Sequence, residues 1–204
     1  LSIPVNSNTS IELSNAFKKI ERTRIGSPYV IAEFEGLSKK YSSVAGFEAN
    51  GGFLLGSDTS INDKPLTALP TRDALLPAIM LLAGTTDNKT ISDLVKDCTK
   101  RFSASDRIKN FATEKSQQLI KTYCEDTLTL IQLLGFEELT VKSVDVTDGL
   151  RMTLSDNDVI HLRPSGNAPE LRCYAESTSD EKAKQLVVQV LTKVQTNYSS
   201  FKLE

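Results

Sequence analysis

Residues 101–110, RFSASDRIKN, carry several charges and few large apolar side chains, and they separate two blocks with different patterns. In the first block, short apolar runs alternate with segments whose apolar residues have helical spacing, which is typical of a layered α/β domain. In the second, four short strand-like runs lie between two helical stripes, which predicts an α+β domain with an antiparallel sheet. We therefore expect two domains joined by a linker at 101–110.

The first block opens on an apolar segment that ends in Asn-Ser-Asn, a composition typical of a strand that enters a loop. Its glycines mark the tight turns. The elements expected are a strand at 1–5, a helix at 11–20, a strand at 29–34, a strand, loop and strand within 42–58, a helix between Pro70 and Gly84, and a helix within 91–102.

The second block closes on a helix whose start, Thr178 followed by Glu181, has the spacing of a capping box. Residues 155–158, Ser-Asp-Asn-Asp, are typical of a hairpin turn. The elements expected are a helix at about 114–134, strands at 139–146, 149–154, 158–164 and 171–177, and a terminal helix with the apolar stripe Ala183, Leu186, Val187, Val190, Leu191 and Val194.

Charge and hydropathy argue against several classes of protein. With 24 Lys and Arg against 26 Asp and Glu, the chain lacks the basic excess of a nucleic-acid-binding protein. The longest apolar run, residues 74–83, is about half as long as a membrane span requires. Three cysteines without CxxC spacing disfavour disulfides and zinc. We expect a cytoplasmic protein without nucleic-acid or membrane partners.

The chain has no initiator Met and no secretory signal, and it opens directly in a predicted strand. This start indicates a processed product or a fragment of something longer.

The segment 161–174, HLRPSGNAPELRCY, carries the clearest chemical signal. An arginine, Arg163, ends one apolar strand, and a short polar loop precedes the next. Such a loop can direct backbone N–H groups, the Ser165 hydroxyl and a guanidinium at one anion, while Gly166 leaves room for close approach. The alternative is an ordinary hairpin connection, because these are the common turn residues.

A second signal is GFEANGG, residues 46–52. In an extended stretch the side chains of Glu48 and Asn50 would share a face, and Gly51 and Gly52 would leave space for a ligand. A carboxylate and an amide together suit vicinal sugar hydroxyls. The alternative is a glycine turn with solvated polar residues.

The two loops, with LPTRDALLPAIMLLA between them, RTRIG upstream and RFSASDRIK at the junction, are similar to the C-terminal half of an α-D-phosphohexomutase, the phosphomannomutase and phosphoglucomutase family. The resemblance covers essentially the whole chain. It implies an α/β third domain at 1–103 and a TATA-binding-protein-like α+β fourth domain at 108–204.

The resemblance implies an isomerase that moves phosphate between O1 and O6 of a hexose phosphate through a bisphosphorylated sugar. A phosphoserine and Mg²⁺ in an N-terminal half, the partner of this chain, would carry the chemistry, with a glucose 1,6-bisphosphate-type activator. Glu48, Asn50 and Arg24 would bind the sugar. The distal phosphate would lie on Arg163, Ser165, Gly166 and Asn167, with no catalytic or metal residue in this part.

Some positions depart from the family pattern. Asn167 and Ala168 stand where many members have Thr and Glu, and Asn50 stands where Ser is common, so hexose preference does not follow from the sequence. Arg24 and Ser27 lie in a loosely aligned segment, where a solvated surface arginine is an equal alternative.

Neither the serine loop nor an aspartate triplet of the family is present in this sequence. Asp156 and Asp158 lie in a predicted turn, and Asp145 and Asp148 have the wrong spacing. The chain alone is therefore expected to bind a sugar phosphate weakly, if at all, and to turn over nothing. A non-catalytic sugar-phosphate-binding module and an interaction domain without a ligand are the alternatives.

Other reactive residues have ordinary interpretations. His161, in a predicted strand, is expected to be packed rather than catalytic, although an ordinary pKa would let it assist phosphate binding. For Arg172 a structural ion pair is expected. The three cysteines, Cys98, Cys124 and Cys173, are expected to be small core residues.

Overall fold

The computed structural model describes residues 1–86, 88–98, 100–198 and 201. The chain forms two compact units, Leu1–Lys100 and Arg101–Glu204. None of the described helices is long and apolar enough to cross a membrane.

The first unit is a mixed α/β unit. Its elements are β1 (Ser2–Pro4), α1 (Ser10–Leu13), β2 (Glu21–Thr23), α2 (Ser27–Ser38), β3 (Ala45–Phe47), β4 (Phe53–Leu55), β5 (Thr59–Ile61), β6 (Lys64–Leu66), β7 (Leu69–Asp73), α3 (Leu75–Ala83) and α4 (Ile91–Cys98).

Five of these strands form one sheet in the order β2-β1-β3-β4-β7, and β5 and β6 form a separate hairpin. Strand β1 is parallel to both β2 and β3, whereas β4 is antiparallel to its neighbours. Helix α2 packs its buried side chains on this sheet, where they form a core with residues of the strand region. That core comprises Val30, Phe34, Leu37, Val44 and Leu54.

Two expectations for the first unit are wrong. Residues 29–34 lie in helix α2, because Gly26 and Pro28 start a helix and the buried positions 30, 34 and 37 recur at helical spacing. The helix expected at 11–20 ends at Leu13, where the next residues form a turn and Asn15 adopts a positive φ of 53°. The strand, loop and strand expected within 42–58 are confirmed.

The second unit is an α+β unit. Its elements are β8 (Phe102–Lys109), α5 (Thr113–Tyr123), α6 (Thr127–Leu133), β9 (Val141–Asp145), β10 (Leu150–Leu154), β11 (Val159–Pro164), β12 (Glu170–Ser177) and α7 (Asp180–Thr196). The strands form one antiparallel sheet in the order β8-β12-β11-β10-β9.

One large hydrophobic core joins this sheet to the helices, and the six apolar residues expected on helix α7 are all buried. The antiparallel sheet and its strands therefore confirm the predicted fold class. The hairpin turn at 155–158 is also confirmed.

Three details of the second unit differ from expectation. The prediction of a linker at 101–110 is wrong, because strand β8 pairs with β12 along its whole length. The helix at 114–134 is broken into α5 and α6 by Asp126, whose side chain caps α6 by accepting from the N–H of Thr129. Helix α7 is capped by Ser179 rather than Thr178, with the Ser179 hydroxyl accepting from the N–H of Lys182.

Candidate functional site

Three loops of the first unit begin at the same edge of its sheet. Strands β1, β2 and β3 are parallel, so the loops that follow them, at 5–9, 24–26 and 48–52, leave from their carboxyl ends. This edge is where open α/β sheets bind ligands.

The loop at 48–52 is a tight turn. The N–H of Glu48 donates to the carbonyl of Gly52 at 2.8 Å, and Gly51 adopts a φ of 90° that favours glycine. The amide oxygen of Asn50 accepts from the N–H of Gly52 at 3.0 Å. The expectation that Glu48 and Asn50 share a face of an extended segment is therefore wrong, because both residues belong to this turn.

Glu48 is buried at this edge, and its Oε2 makes no hydrogen bond to any described residue. The Nε of Arg72 lies 3.5 Å from that oxygen and balances its charge. The aliphatic part of Arg72 covers Gly52, where a Cβ would lie 2.6 Å from its Cδ. A carboxylate oxygen held in this way can accept a hydrogen bond from a ligand hydroxyl.

Arg24 follows β2 and is exposed, with its guanidinium 5.1 Å from the centre of the Tyr29 ring. This stacking is a cation–π contact that limits the side chain without neutralising it. Ser27, at the start of α2, follows Gly26, which has a φ of 136°.

The loop after β1 adds two polar groups that the sequence did not single out. Arg22 fixes this loop by donating to the carbonyls of Val5 and Ser7 at 2.9 and 2.8 Å. The Asn6 Oδ1 and Ser7 Oγ atoms are buried and make no hydrogen bond within the described residues. Buried polar atoms are normally satisfied, so these two atoms are candidate ligand-binding groups at the same edge.

In the second unit, the loop between β11 and β12 is closed by the N–H of Ser165, which donates to the carbonyl of Glu170 at 2.9 Å. Ser165 is buried, and its hydroxyl accepts a long 3.4 Å hydrogen bond from the N–H of Asn167. The N–H groups of Gly166 and Ala168 have no acceptor in the described part of the chain. A Cβ on Gly166 would meet open space. The loop thus presents N–H groups to its surroundings.

Arg163 lies beside this loop, and its Nε is 2.9 Å from the Oδ2 of Asp148, an ion pair whose angle is not that of a hydrogen bond. The turn that contains Asp148 and Gly149 lies close to the backbone of Arg163, because a Cβ on Gly149 would lie 3.0 Å from the Arg163 Cα. The terminal guanidinium nitrogens make no hydrogen bond to the described residues. They are therefore available to an anion.

The strand register places two further arginines next to Arg163. Arg163 pairs with Arg172, and Arg172 pairs with Arg107, so the three side chains lie on one face of the sheet. Glu170 lies 3.7 Å from the Nη2 of Arg172 and 3.5 Å from the Nε of Arg107. The structural ion pair expected for Arg172 is confirmed, but its position beside Arg163 also makes it a candidate phosphate ligand.

His161 is packed, as expected. Its Nε2 donates to the carbonyl of Asp148 at 2.7 Å, and its ring stacks on Tyr174. Burial lowers the pKa of His161 to about 4, so the ring is neutral at pH 7 and does not assist phosphate binding as a cation.

The described cysteines are free thiols in three different environments. All three cysteines are free thiols, and Cys173 is buried as expected, whereas Cys98 is exposed, so its placement in the core is wrong. Burial raises the pKa of the Cys173 thiol. The described residues contain no group of three or more His, Cys, Asp or Glu that could hold a metal ion.

Both units match models of one family. Residues 2–102 match phosphoglucomutase/phosphomannomutase alpha/beta/alpha domain III, and residues 106–193 match the C-terminal domain of the same family. The chain belongs to the phosphoglucomutase/phosphomannomutase family. The resemblance inferred from the two loops is therefore confirmed.

Relatives in this family are longer than the chain. A phosphomannomutase from Salmonella muenchen is 53% identical over 196 residues, which cover 96% of the chain and 41% of the relative. A phosphomannomutase from Sinorhizobium fredii is 39% identical, and the match covers 94% of the chain and 40% of the relative. The chain thus spans about two fifths of the length of either protein.

Solved structures of the family share the fold. A phosphoglucomutase/phosphomannomutase family protein from Burkholderia thailandensis gives a TM-score of 0.65 at 15% identity, over 100% of this chain and 38% of that protein. An N-acetylphosphoglucosamine mutase from Aspergillus fumigatus, solved with GlcNAc-6P and magnesium, gives a TM-score of 0.55 at 16% identity, over 95% of this chain and 40% of that protein.

Proposed function

We propose that this chain supplies the third and fourth domains, the units Leu1–Lys100 and Arg101–Glu204, of a phosphohexomutase that interconverts hexose 1-phosphate and hexose 6-phosphate. In this proposal the first unit binds the sugar and the second binds the phosphate that is not reacting. The phosphoserine, the Mg²⁺ ion and the activator site belong to an N-terminal half of the same polypeptide.

The sugar site is proposed at the carboxyl edge of β1, β2 and β3. The observation that carries this assignment is the buried Oε2 of Glu48, which has no hydrogen-bond donor among the described residues. Asn50 and Arg24 complete the set expected from the sequence, and Asn6 and Ser7 extend it. A mixed set of carboxylate, amide and hydroxyl groups can both donate to and accept from sugar hydroxyls.

The phosphate site is proposed at the β11–β12 loop. Arg163 provides a guanidinium, Gly166 provides an N–H without an acceptor among the described residues, and Ser165 and Asn167 provide polar side chains. Arg172 is a second guanidinium on the same face. A distal anion site of this kind orients the reacting end of the substrate, and phosphoryl transfer depends mainly on such positioning.

In this proposal the Mg²⁺ ion is not held by this chain. No described residues form a cluster that could hold a metal ion. The acidic residues of the 155–158 turn are engaged instead, since Lys182 lies 3.0 Å from Asp156 and 2.7 Å from Asp158. We infer that this chain contributes binding groups and no metal ligand.

Calorimetry with glucose 1,6-bisphosphate tests the phosphate site. We expect Arg163→Gln to weaken binding by at least about tenfold, since a charge-assisted contact is lost. Lys184→Gln removes the same charge from an exposed position on α7 and should bind like the wild type. Equal binding by both variants would contradict the assignment.

Mutase assays test the sugar site in a chimera that joins the unmatched N-terminal part of the Salmonella muenchen phosphomannomutase to this chain. We expect turnover of mannose 1-phosphate, glucose 1-phosphate or both, assayed in parallel. Glu48→Gln should lower kcat/KM by about 100-fold, because the side chain loses its charge and one of its two acceptor oxygens. A chimera that folds and binds glucose 1,6-bisphosphate but turns over neither sugar would favour a non-catalytic binding module.

A further inference from the structure

Strand β7 brings a cation to the ligand edge of the first unit. Strand β4 is antiparallel to β3, and β7 is antiparallel to β4, so β7 runs in the same direction as β3. Its carboxyl end therefore lies at the edge where the turn at 48–52 begins, and Asp73 pairs with Phe53, the first residue after this turn. Arg72 immediately precedes Asp73, which places it beside the turn.

The inner part of the Arg72 side chain is held against the turn. A Cβ on Gly52 would lie 2.6 Å from the Arg72 Cδ and 3.0 Å from its Cγ, so the glycine leaves room for the aliphatic stem. The next residue, Asp73, anchors the backbone, because its Oδ1 accepts from the N–H groups of Leu75 at 2.8 Å and Leu76 at 3.1 Å. An arginine whose stem is fixed in this way loses less conformational entropy when its guanidinium binds a ligand.

The guanidinium of Arg72 is exposed and makes no hydrogen bond within the described part of the chain. Its Nε lies 3.5 Å from the Oε2 of Glu48, and that oxygen has no hydrogen-bond partner there either. The Arg72 side chain is 58% exposed, whereas the Glu48 side chain is 9% exposed. The pair thus combines a buried acceptor with an exposed donor, and both can still form hydrogen bonds.

A structural arginine of the same unit has a different geometry. Arg22 donates through its Nε and Nη2 to the two carboxylate oxygens of Glu12, at 2.8 and 3.1 Å. Its Nη1 donates to two backbone carbonyls as well. The Arg72 guanidinium has neither kind of contact, so its charge is placed beside Glu48 while its N–H groups remain available to a ligand.

A hydroxyl group matches this pair. It can donate its hydrogen to the Glu48 carboxylate while its oxygen accepts from an N–H of Arg72. Hydrogen bonds to charged groups are the stronger ones, so a site with both charges distinguishes a hydroxyl from a hydrogen atom on the same carbon. A phosphate matches the pair poorly, because the buried carboxylate repels it.

We propose that Arg72 is a substrate-binding residue that, together with Glu48, selects hexose phosphates with a free secondary hydroxyl at one ring carbon. This inference rests on the proposed function, and it names the group of the sugar that the site recognises. Arg72 provides the donor and Glu48 the acceptor for the same hydroxyl.

A cycle of variants and deoxy sugars tests this role. The chimera described above is titrated by calorimetry without Mg²⁺, with whichever of mannose 1-phosphate and glucose 1-phosphate binds more tightly and with the 2-, 3- and 4-deoxy analogues of that sugar. Removal of the hydroxyl that the pair binds should weaken wild-type affinity by at least about tenfold. In Arg72→Gln the same removal should weaken binding by no more than about threefold, because Gln keeps the stem but lacks the terminal nitrogens.

Two further variants separate this role from a general effect of charge. Gly52→Ala displaces the Arg72 stem without changing any charge, so it should reproduce the loss of selectivity. Gly52 has no positive φ, so the backbone at this position accommodates alanine. Lys39→Gln removes an exposed cation that pairs with Glu35 at the end of α2, and it should keep the wild-type selectivity.

An unchanged ratio of affinities between the parent sugar and its deoxy analogues in Arg72→Gln would overturn the proposal, with or without an overall loss of affinity. A residue that contacts the phosphate, or one that only supports the turn, affects every sugar equally. The mutase assay on the same chimera tests the proposed function separately. Turnover combined with unchanged selectivity in Arg72→Gln rejects the role of Arg72 alone, whereas lost selectivity without turnover by the wild-type chimera rejects the mutase activity alone. A chimera that binds no sugar phosphate overturns both.

Discussion

The Nε of Arg163 lies 2.9 Å from the Oδ2 of Asp148, and this ion pair joins the end of β11 to the turn between β9 and β10. Both side chains are mostly buried, with 16% and 11% of their surfaces exposed. The carboxylate therefore holds the inner nitrogen of the guanidinium, while the terminal nitrogens remain available for a ligand. Asp148 acts on the proposed phosphate site by positioning Arg163.

A double-mutant cycle should detect this coupling. We expect Asp148→Asn and Arg163→Gln each to lower the free energy of unfolding, and the double variant to lose less than their sum by about 1–3 kcal/mol, because each single change breaks the same mostly buried ion pair. Urea denaturation of the four proteins gives the values. Strictly additive losses would show that the two charges do not interact.

His161 should make stability depend on pH. Its pKa is about 4 in the folded protein and 6.5 for an ordinary histidine, so between these values the unfolded chain binds a proton that the folded chain excludes. Stability is therefore complete above pH 6.5 and falls as the pH decreases toward 4, by up to about 3 kcal/mol.

The titration can be measured directly, because the chain has a single histidine. NMR of the imidazole should show a midpoint near 4 and the proton on Nε2 at neutral pH. His161→Gln should remove the corresponding part of the slope of stability between pH 6.5 and 4, while the carboxylates still titrate in both proteins. An NMR midpoint near 6.5 would contradict the burial argument.

Arg101 should be a major anchor of the second unit. It is buried, its Nε lies 3.0 Å from Glu176, and its Nη2 lies 3.7 Å from the buried carboxylate of Asp158. Arg101→Ala should lower the free energy of unfolding by about 3–5 kcal/mol, since two buried carboxylates lose a cation. Lys184→Ala breaks an exposed pair with Asp180 and should leave the unfolding curve unchanged. Similar small effects of both variants would rule out a buried ion cluster.

Arg101 also shows where the sequence was misleading. The segment 101–110 looked like a linker because β8 exposes nearly all of its side chains and buries only Ile108. Backbone hydrogen bonds to β12 hold this strand in the sheet, and side-chain patterns do not report such bonds. The arginine row across β11, β12 and β8 was missed for the same reason, because register depends on distant residues.

Local signals were reliable where periodicity and turn chemistry agreed. The six buried residues of α7 and the hairpin between β10 and β11 followed from such agreement. The prediction of a strand at 29–34 was wrong because a short apolar run fits a strand or a helix equally well. The helix start at Gly26 and Pro28 makes this segment helical. The loops at 48–52 and 163–167 were found because the resemblance joined two weak motifs.

Two glycine substitutions distinguish a phosphate cradle from an ordinary hairpin. Gly149 has a φ of 96°, and a Cβ there would overlap the carbonyl oxygen of Leu162, so Gly149→Ala should lower the free energy of unfolding by at least about 2 kcal/mol. Gly166 has no positive φ and faces open space, so Gly166→Ala should change stability by no more than about 0.5 kcal/mol.

Gly166→Ala should weaken ligand binding although it leaves stability nearly unchanged. If the open space at Gly166 is where a phosphate lies, the added methyl group should weaken glucose 1,6-bisphosphate binding by about tenfold in a protein of normal stability. Calorimetry and denaturation on the same preparation measure both quantities. Unchanged affinity in Gly166→Ala would mean that the loop is only a connection between β11 and β12, because a ligand held by its backbone N–H groups could not ignore a new side chain there.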